Sequence, residues 1–337
     1  MPKRLAELKS WIGDSTGSDD FTIKAASGDA SFRRYFRVTR GDGSTLIAMD
    51  APPEREDCRP FVAVADTLFG LGLHVPEITA ADLQQGFLLL EDLGSTHYLD
   101  ALDSDNANRL YADALGALAV IQACAPQQGL PPYDEALLQQ EMALFPEWLL
   151  QRQLGIVLDE GEQEQLQQIF HLLADSALAQ PRVFVHRDYH SRNLLLTSSP
   201  NPGIIDFQDA VAGPVTYDLV SLLRDCYIRW PAAKVREWAM GYFELALQSG
   251  ILRDQHEAEF LGWFDLMGVQ RHLKAAGIFA RLNIRDSKPG YLADIPRTLG
   301  YIVEVAADYP ELSFLGSLIA ERVLPELGCI LAANERR

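Results

Sequence analysis

One twelve-residue stretch constrains the chain most: Val185-His186-Arg187-Asp188-Tyr189-His190-Ser191-Arg192-Asn193-Leu194-Leu195-Leu196. Val183, Phe184 and Val185 lead into it, and a leucine triplet closes it. Short apolar runs bounded by polar residues read as buried strands. Between these runs an aspartate precedes an asparagine by five residues, and thirteen residues later comes Ile204-Ile205-Asp206-Phe207. A tight Pro202-Gly203 turn would put Asp206 at a strand end, facing the loop. Whatever fold contains this stretch must hold a polar loop rigidly on short strands.

Those residue types suit phosphoryl transfer. The transition state needs an acceptor hydroxyl aimed in line and its spreading negative charge neutralised. Asp188 is the candidate to hold the hydroxyl and take its proton. Asn193 and Asp206 are the candidates to hold Mg²⁺, a hard cation that takes few protein oxygens beside substrate phosphates.

Earlier in the chain, residues 3–12 have the pattern of a short helix ended by Gly13. Residues 21–25, 35–39 and 45–49 read as three strands of an antiparallel meander, with turns at 27–31 and 41–43. Gly28, Ala30 and Ser31 are small enough for backbone N–H groups to approach phosphate oxygens, and Arg33 and Arg34 follow them. Two further strands are expected at 75–78 and 87–90, then helices at 134–154 (interrupted or bent at Pro146), 161–179, 217–229, 255–285 and 313–333.

The stretch at 185–196 resembles the aminoglycoside phosphotransferase and choline kinase superfamily. The resemblance spans nearly the full length. It also rests on Leu46-Ile47-Ala48-Met49-Asp50-Ala51-Pro52-Pro53, Asp206-Phe207-Gln208-Asp209-Ala210, Gly213-Pro214, Tyr217-Asp218-Leu219 and residues 273–282. More narrowly, the chain is similar to bacterial cell-wall-recycling kinases that phosphorylate N-acetylmuramate and N-acetylglucosamine at the anomeric hydroxyl. The likeness implies an α+β protein-kinase-like fold, with an ATP-binding lobe at 1–93 and a helical lobe at 94–337. It implies ATP as co-substrate with Mg²⁺, adenine held by the backbone of Glu91 and Leu93, and an acceptor site drawn from Tyr189, His190, Asp209, Asp225, Arg271 and Lys274. Arg271 or Lys274 would meet the carboxylate of N-acetylmuramate.

The chain departs from the pattern at Asp50. Kinases carry a phosphate-binding lysine in this strand, paired with a glutamate on the next helix, but here the lysine is absent and residues 59–71 contain no glutamate. Losing both together is consistent, because one buried charge left alone is costly. Arg33 or Arg34 is the candidate replacement. A kinase of an aminoglycoside or amino-alcohol, or a nucleotide-binding scaffold without catalysis, stays open at this point.

A net charge of −18 argues against a nucleic-acid partner and requires positive charge at an ATP site to be local. The four cysteines are far apart, which fits reduced thiols in a cytoplasmic protein. No membrane span or long apolar stripe stands out, so a monomer is expected.

Overall fold

A computed structural model describes residues 2–27 and 32–334. Gly28, Ala30 and Ser31 lie outside the described residues. The chain divides into two units, Met1–Asp103 with Arg192–Asp209, and Ser104–Ser191 with Ala210–Arg337. The sequence suggested a single cut after Leu93.

The first unit opens with helix α1 (Pro2–Thr16). Next come strands β1 (Phe21–Ser27), β2 (Arg34–Arg40) and β3 (Thr45–Asp50), helix α2 (Cys58–Gly70), strands β4 (Ile78–Asp82) and β5 (Phe87–Glu91), and a short helix α3 (Tyr98–Ala101). The strands form one antiparallel sheet in the order β1-β2-β3-β5-β4. Strand side chains alternate between faces. Val38, Leu46, Ala48, Phe87 and Leu89 face Leu8 and Ile12 of α1 in one core, which leaves Tyr35, Arg37, Ile47 and Leu90 for the opposite face. Asp57 caps α2 by accepting the Arg59 N–H at 3.0 Å.

Gly13 does not end α1. The helix runs on to Thr16, and Gly13 instead gives room to the Asp19 carboxylate; Gly17, with φ +67°, follows the last turn. The strand expected at 75–78 forms later, at β4, although the Glu77 carbonyl already accepts the Glu91 N–H at 2.8 Å.

Strands β7 (Leu194–Leu195) and β8 (Gly203–Ile204) also belong to the first unit and pair with each other. They are tied into it by backbone: Leu196 N–H donates to Thr96 and Ile204 N–H to His74, both at 2.8 Å.

The second unit is mostly helical. It contains α4 (Ala107–Cys124), α5 (Glu135–Met142), a π-helical stretch Phe145–Gln153, α6 (Glu160–Leu178), α7 (Tyr217–Leu223), α8 (Ala232–Gln248), α9 (Glu257–Asp286), α10 (Ile295–Ala306), α11 (Ser313–Leu318) and α12 (Leu324–Asn334). Strand β6 (Arg182–Val185), which precedes β7 in the chain, pairs here with β9 (Val211–Pro214). The helix expected over 134–154, interrupted or bent at Pro146, is interrupted: α5 ends at Met142, and Pro146 sits in the first turn of the π-helical stretch that follows, where a missing N–H costs nothing. The helix expected to reach residue 229 ends at Leu223, where the Arg224 carbonyl meets His272 Nε2 at 2.8 Å. At its middle α9 is buried all round, from Met267 through Lys274. That run includes Gln270, Arg271, His272 and Lys274, polar groups that burial obliges to find partners.

Candidate active site

In the first unit, a cavity of about 280 Å³ opens on the free face of the sheet. Glu91, Leu93, Asn193 and Asp206 line it, together with Tyr35, Ile47, Leu90 and Phe207. Asp206 adopts the left-handed region, φ +66°, uncommon outside glycine. Side chains hold it there: Asn193 Nδ2 donates to Oδ2 at 3.3 Å and Gln208 Nε2 donates to Oδ1 at 2.9 Å. Phe207 is fully buried, its ring 4.9 Å from that of Phe61 on α2. One amide and one carboxylate supply hard oxygen donors in the small number that Mg²⁺ takes from protein, so the pair fits that ion.

The two arginines of the phosphate hypothesis part company. Arg34 pairs with Asp50, which is fully buried and also receives Arg4 Nε at 2.6 Å. Arg33 instead lies near Asp206 and Asp209, with Nη2 3.9 Å from Asp209 Oδ2. Burial works against its charge, yet Tyr35, Asp206, Glu56 and Asp209 together keep its pKa raised. Arg37 is tied down by two hydrogen bonds to Asp92, at 2.6 and 2.9 Å, at the end of β5.

Asp188 belongs to the second unit. The loop before it is clamped by Asp218 on α7, whose carboxylate accepts the His186 N–H at 2.6 Å and the Arg187 N–H at 3.0 Å. Arg187 has φ +76°, and its guanidinium is fixed by Glu141 of α5. Two acidic groups thus hold one residue in a backbone conformation it would otherwise leave. After Asp188, Asp225 does similar work, accepting the Ser191 N–H at 2.9 Å and the Tyr227 N–H at 2.8 Å.

Burial alone would raise the Asp188 pKa. The positive charges of Lys274, His190, Arg271 and His186 outweigh it and hold the carboxyl below its ordinary range. Lys274 Nζ lies 3.0 Å from Glu141 and donates to the Tyr217 hydroxyl at 2.9 Å. The Tyr133 hydroxyl also donates to Glu141. His272 stays neutral: burial first, then Arg271, depresses its pKa to about 3.

The expected acceptor residues therefore separate. His190, Arg271 and Lys274 gather with Asp188. Asp225 is committed to the loop backbone. Tyr189 is fully buried and turned inward, its hydroxyl donating to the Ala114 carbonyl at 2.8 Å. Asp209 is exposed and lies with Arg33 in the first unit. Glu141 escaped sequence reasoning. Its signal was a carboxylate beside Leu138 and Met142 on the buried face of α5, where a charge needs a partner.

A clamped aspartate kept ionised by buried cations, and an asparagine–aspartate pair beside a cleft on a small antiparallel sheet, define a phosphotransferase. The model of the Phosphotransferase enzyme family matches residues 22–261, and the chain belongs to that family. It is 52% identical over 329 residues to the N-acetylmuramate/N-acetylglucosamine kinase of Pseudomonas putida, covering 94% of this chain and 96% of the relative. It is 42% identical over 325 residues to the enzyme of that name from Neisseria meningitidis, covering 95% and 96%. Among solved structures, an aminoglycoside phosphotransferase with ADP bound shares the fold at a TM-score of 0.56 and 13% identity, covering 88% of this chain and 97% of that one. The α+β protein-kinase-like fold expected from the sequence is the fold observed.

Proposed function

We propose that this chain is an ATP-dependent kinase of N-acetylmuramate and N-acetylglucosamine that phosphorylates the anomeric hydroxyl, giving sugar 1-phosphates for cell-wall recycling. The sugars rest on the near full-length likeness to kinases of those two substrates. The chemistry rests on one observation: Asp188 is held ionised among buried cations on a loop clamped from both sides. A carboxylate so placed orients the acceptor hydroxyl and accepts its proton. An anomeric hydroxyl is more acidic than an ordinary alcohol, so orientation is the larger part of that role.

In this reading adenine enters the cavity of the first unit and bonds to the Glu91 carbonyl and the Leu93 N–H. Arg33 supplies the charge that the strand lysine gives elsewhere, since Arg34 is spoken for by Asp50. Asn193, with its amide turned to present oxygen, and Asp206 would hold Mg²⁺, which neutralises phosphate charge. The four free cysteines support a reducing, cytoplasmic setting.

The test is the product formed from ATP, Mg²⁺ and each sugar, read by ³¹P and ¹H NMR. Phosphorus coupled to the anomeric proton of both sugars is expected. Phosphate on another hydroxyl, or none transferred, sinks the substrate reading. Asp188→Asn is expected to lower kcat by about 10²–10⁴; turnover left intact would remove Asp188 from the mechanism.

A further inference from the structure

Two buried cations on α9, Arg271 and Lys274, lie near Asp188, and their surroundings differ. Lys274 is matched at close range by Glu141 and Tyr217. Arg271 forms no ion pair among the described residues. Its Nη1 reaches the Cys226 sulfur at 3.6 Å, a weak acceptor, and its buried Nε has no hydrogen-bond partner. The neighbouring carboxylate, Asp225, already receives two backbone N–H groups. Burial works against its charge, while Cys226, Tyr217, Asp225 and Asp188 favour it from nearby without forming an ion pair, and a planar guanidinium fork matches a carboxylate with two parallel bonds. Through Cys226 and Asp225 the Arg271 side chain is linked to Ser191, three residues after Asp188.

We infer that Arg271 receives the carboxylate of the acceptor sugar and sets the preference for N-acetylmuramate over carboxylate-free N-acetylglucosamine, while Lys274, anchored by Glu141, serves Asp188. This inference rests on the sugar kinase reading above. Lys274 therefore affects both sugars alike, whereas Arg271, which also helps to hold Asp188 ionised, lowers both and the acidic one more.

The experiment compares kcat/KM for the two sugars in wild type, Arg271→Gln and Lys274→Met. Arg271→Gln is expected to lower the N-acetylmuramate to N-acetylglucosamine ratio at least about tenfold, the scale of a lost charged hydrogen bond. Lys274→Met should lower both values in proportion. An unchanged ratio in Arg271→Gln overturns the assignment. Should that variant not fold, the wild-type protein decides with N-acetylmuramate and its neutral methyl ester. Equal use of acid and ester overturns the inference, whereas a large loss on the ester supports it. Transfer to neither sugar by wild type would instead refute the kinase reading itself.

Discussion

Asp218 is pulled two ways. Burial raises its pKa, the donated N–H groups of His186 and Arg187 lower it, and nearby Asp188 raises it again, leaving it pushed up to about 7 from an ordinary 3.8. In the window between those values the folded state holds a proton that the unfolded chain has released. Asp218 thus contributes stability that is complete below about 4 and is lost as pH rises through about 7. Asp188 has the opposite sign, its contribution present above its ordinary value and lost at lower pH. Asp218→Asn should therefore flatten the decline in urea midpoint between those pH values; an unaltered slope would assign it to other groups. It should also lower kcat, since one of the two loop N–H groups loses its acceptor. Arg33 and Arg34, adjacent in sequence, should behave differently. Arg34→Ala should cost about 1–3 kcal/mol in urea unfolding by removing a partner of buried Asp50. Arg33→Ala should spare stability and raise the KM for ATP, and a normal ATP KM would leave the phosphates to other groups.

Among the elements, α9 shows how packing overrides propensity. Alanine is favoured over glycine inside a helix by about 0.8–1.0 kcal/mol. At Gly277, however, a Cβ would overlap the Leu144 backbone, whose carbonyl oxygen would lie at 2.6 Å. Overpacking costs about 1–3 kcal/mol, more than propensity returns, so Gly277→Ala should destabilise. Gly241, exposed on α8, has nothing within 4 Å of its would-be Cβ. Gly241→Ala should stabilise by roughly 0.5–1 kcal/mol, so urea midpoints of the two variants should move in opposite directions. The same opposition explains where sequence reading fell short. Period and turn residues located β1, β2, β3 and β5, because each strand carries its own alternation. They misplaced the ends of α1 and α7, because Gly13 answers to Asp19 and Arg224 to His272, residues that a local pattern does not see.

At the scale of the whole molecule, the loop carrying Asp188 and Asn193, and the Asp206 that follows, stood out in the sequence because their types fall at the spacing that phosphoryl transfer would require. The second layer was not, since Glu141, Tyr133 and Tyr217 meet Arg187 and Lys274 from elements far apart in the chain. A chain order also interleaves the two units: residues 192–209 complete the first unit after most of its strands have been made. During synthesis, at about 5–20 residues per second, the ribosome spends roughly 4–18 s on the intervening segment. For that interval the nascent sheet lacks Asn193, Asp206 and the β7–β8 pair, and so the cavity on its free face is unfinished. On the kinase reading proposed above, a growing chain of this kind would acquire its ATP-binding chemistry late, after most of the intervening segment has been made.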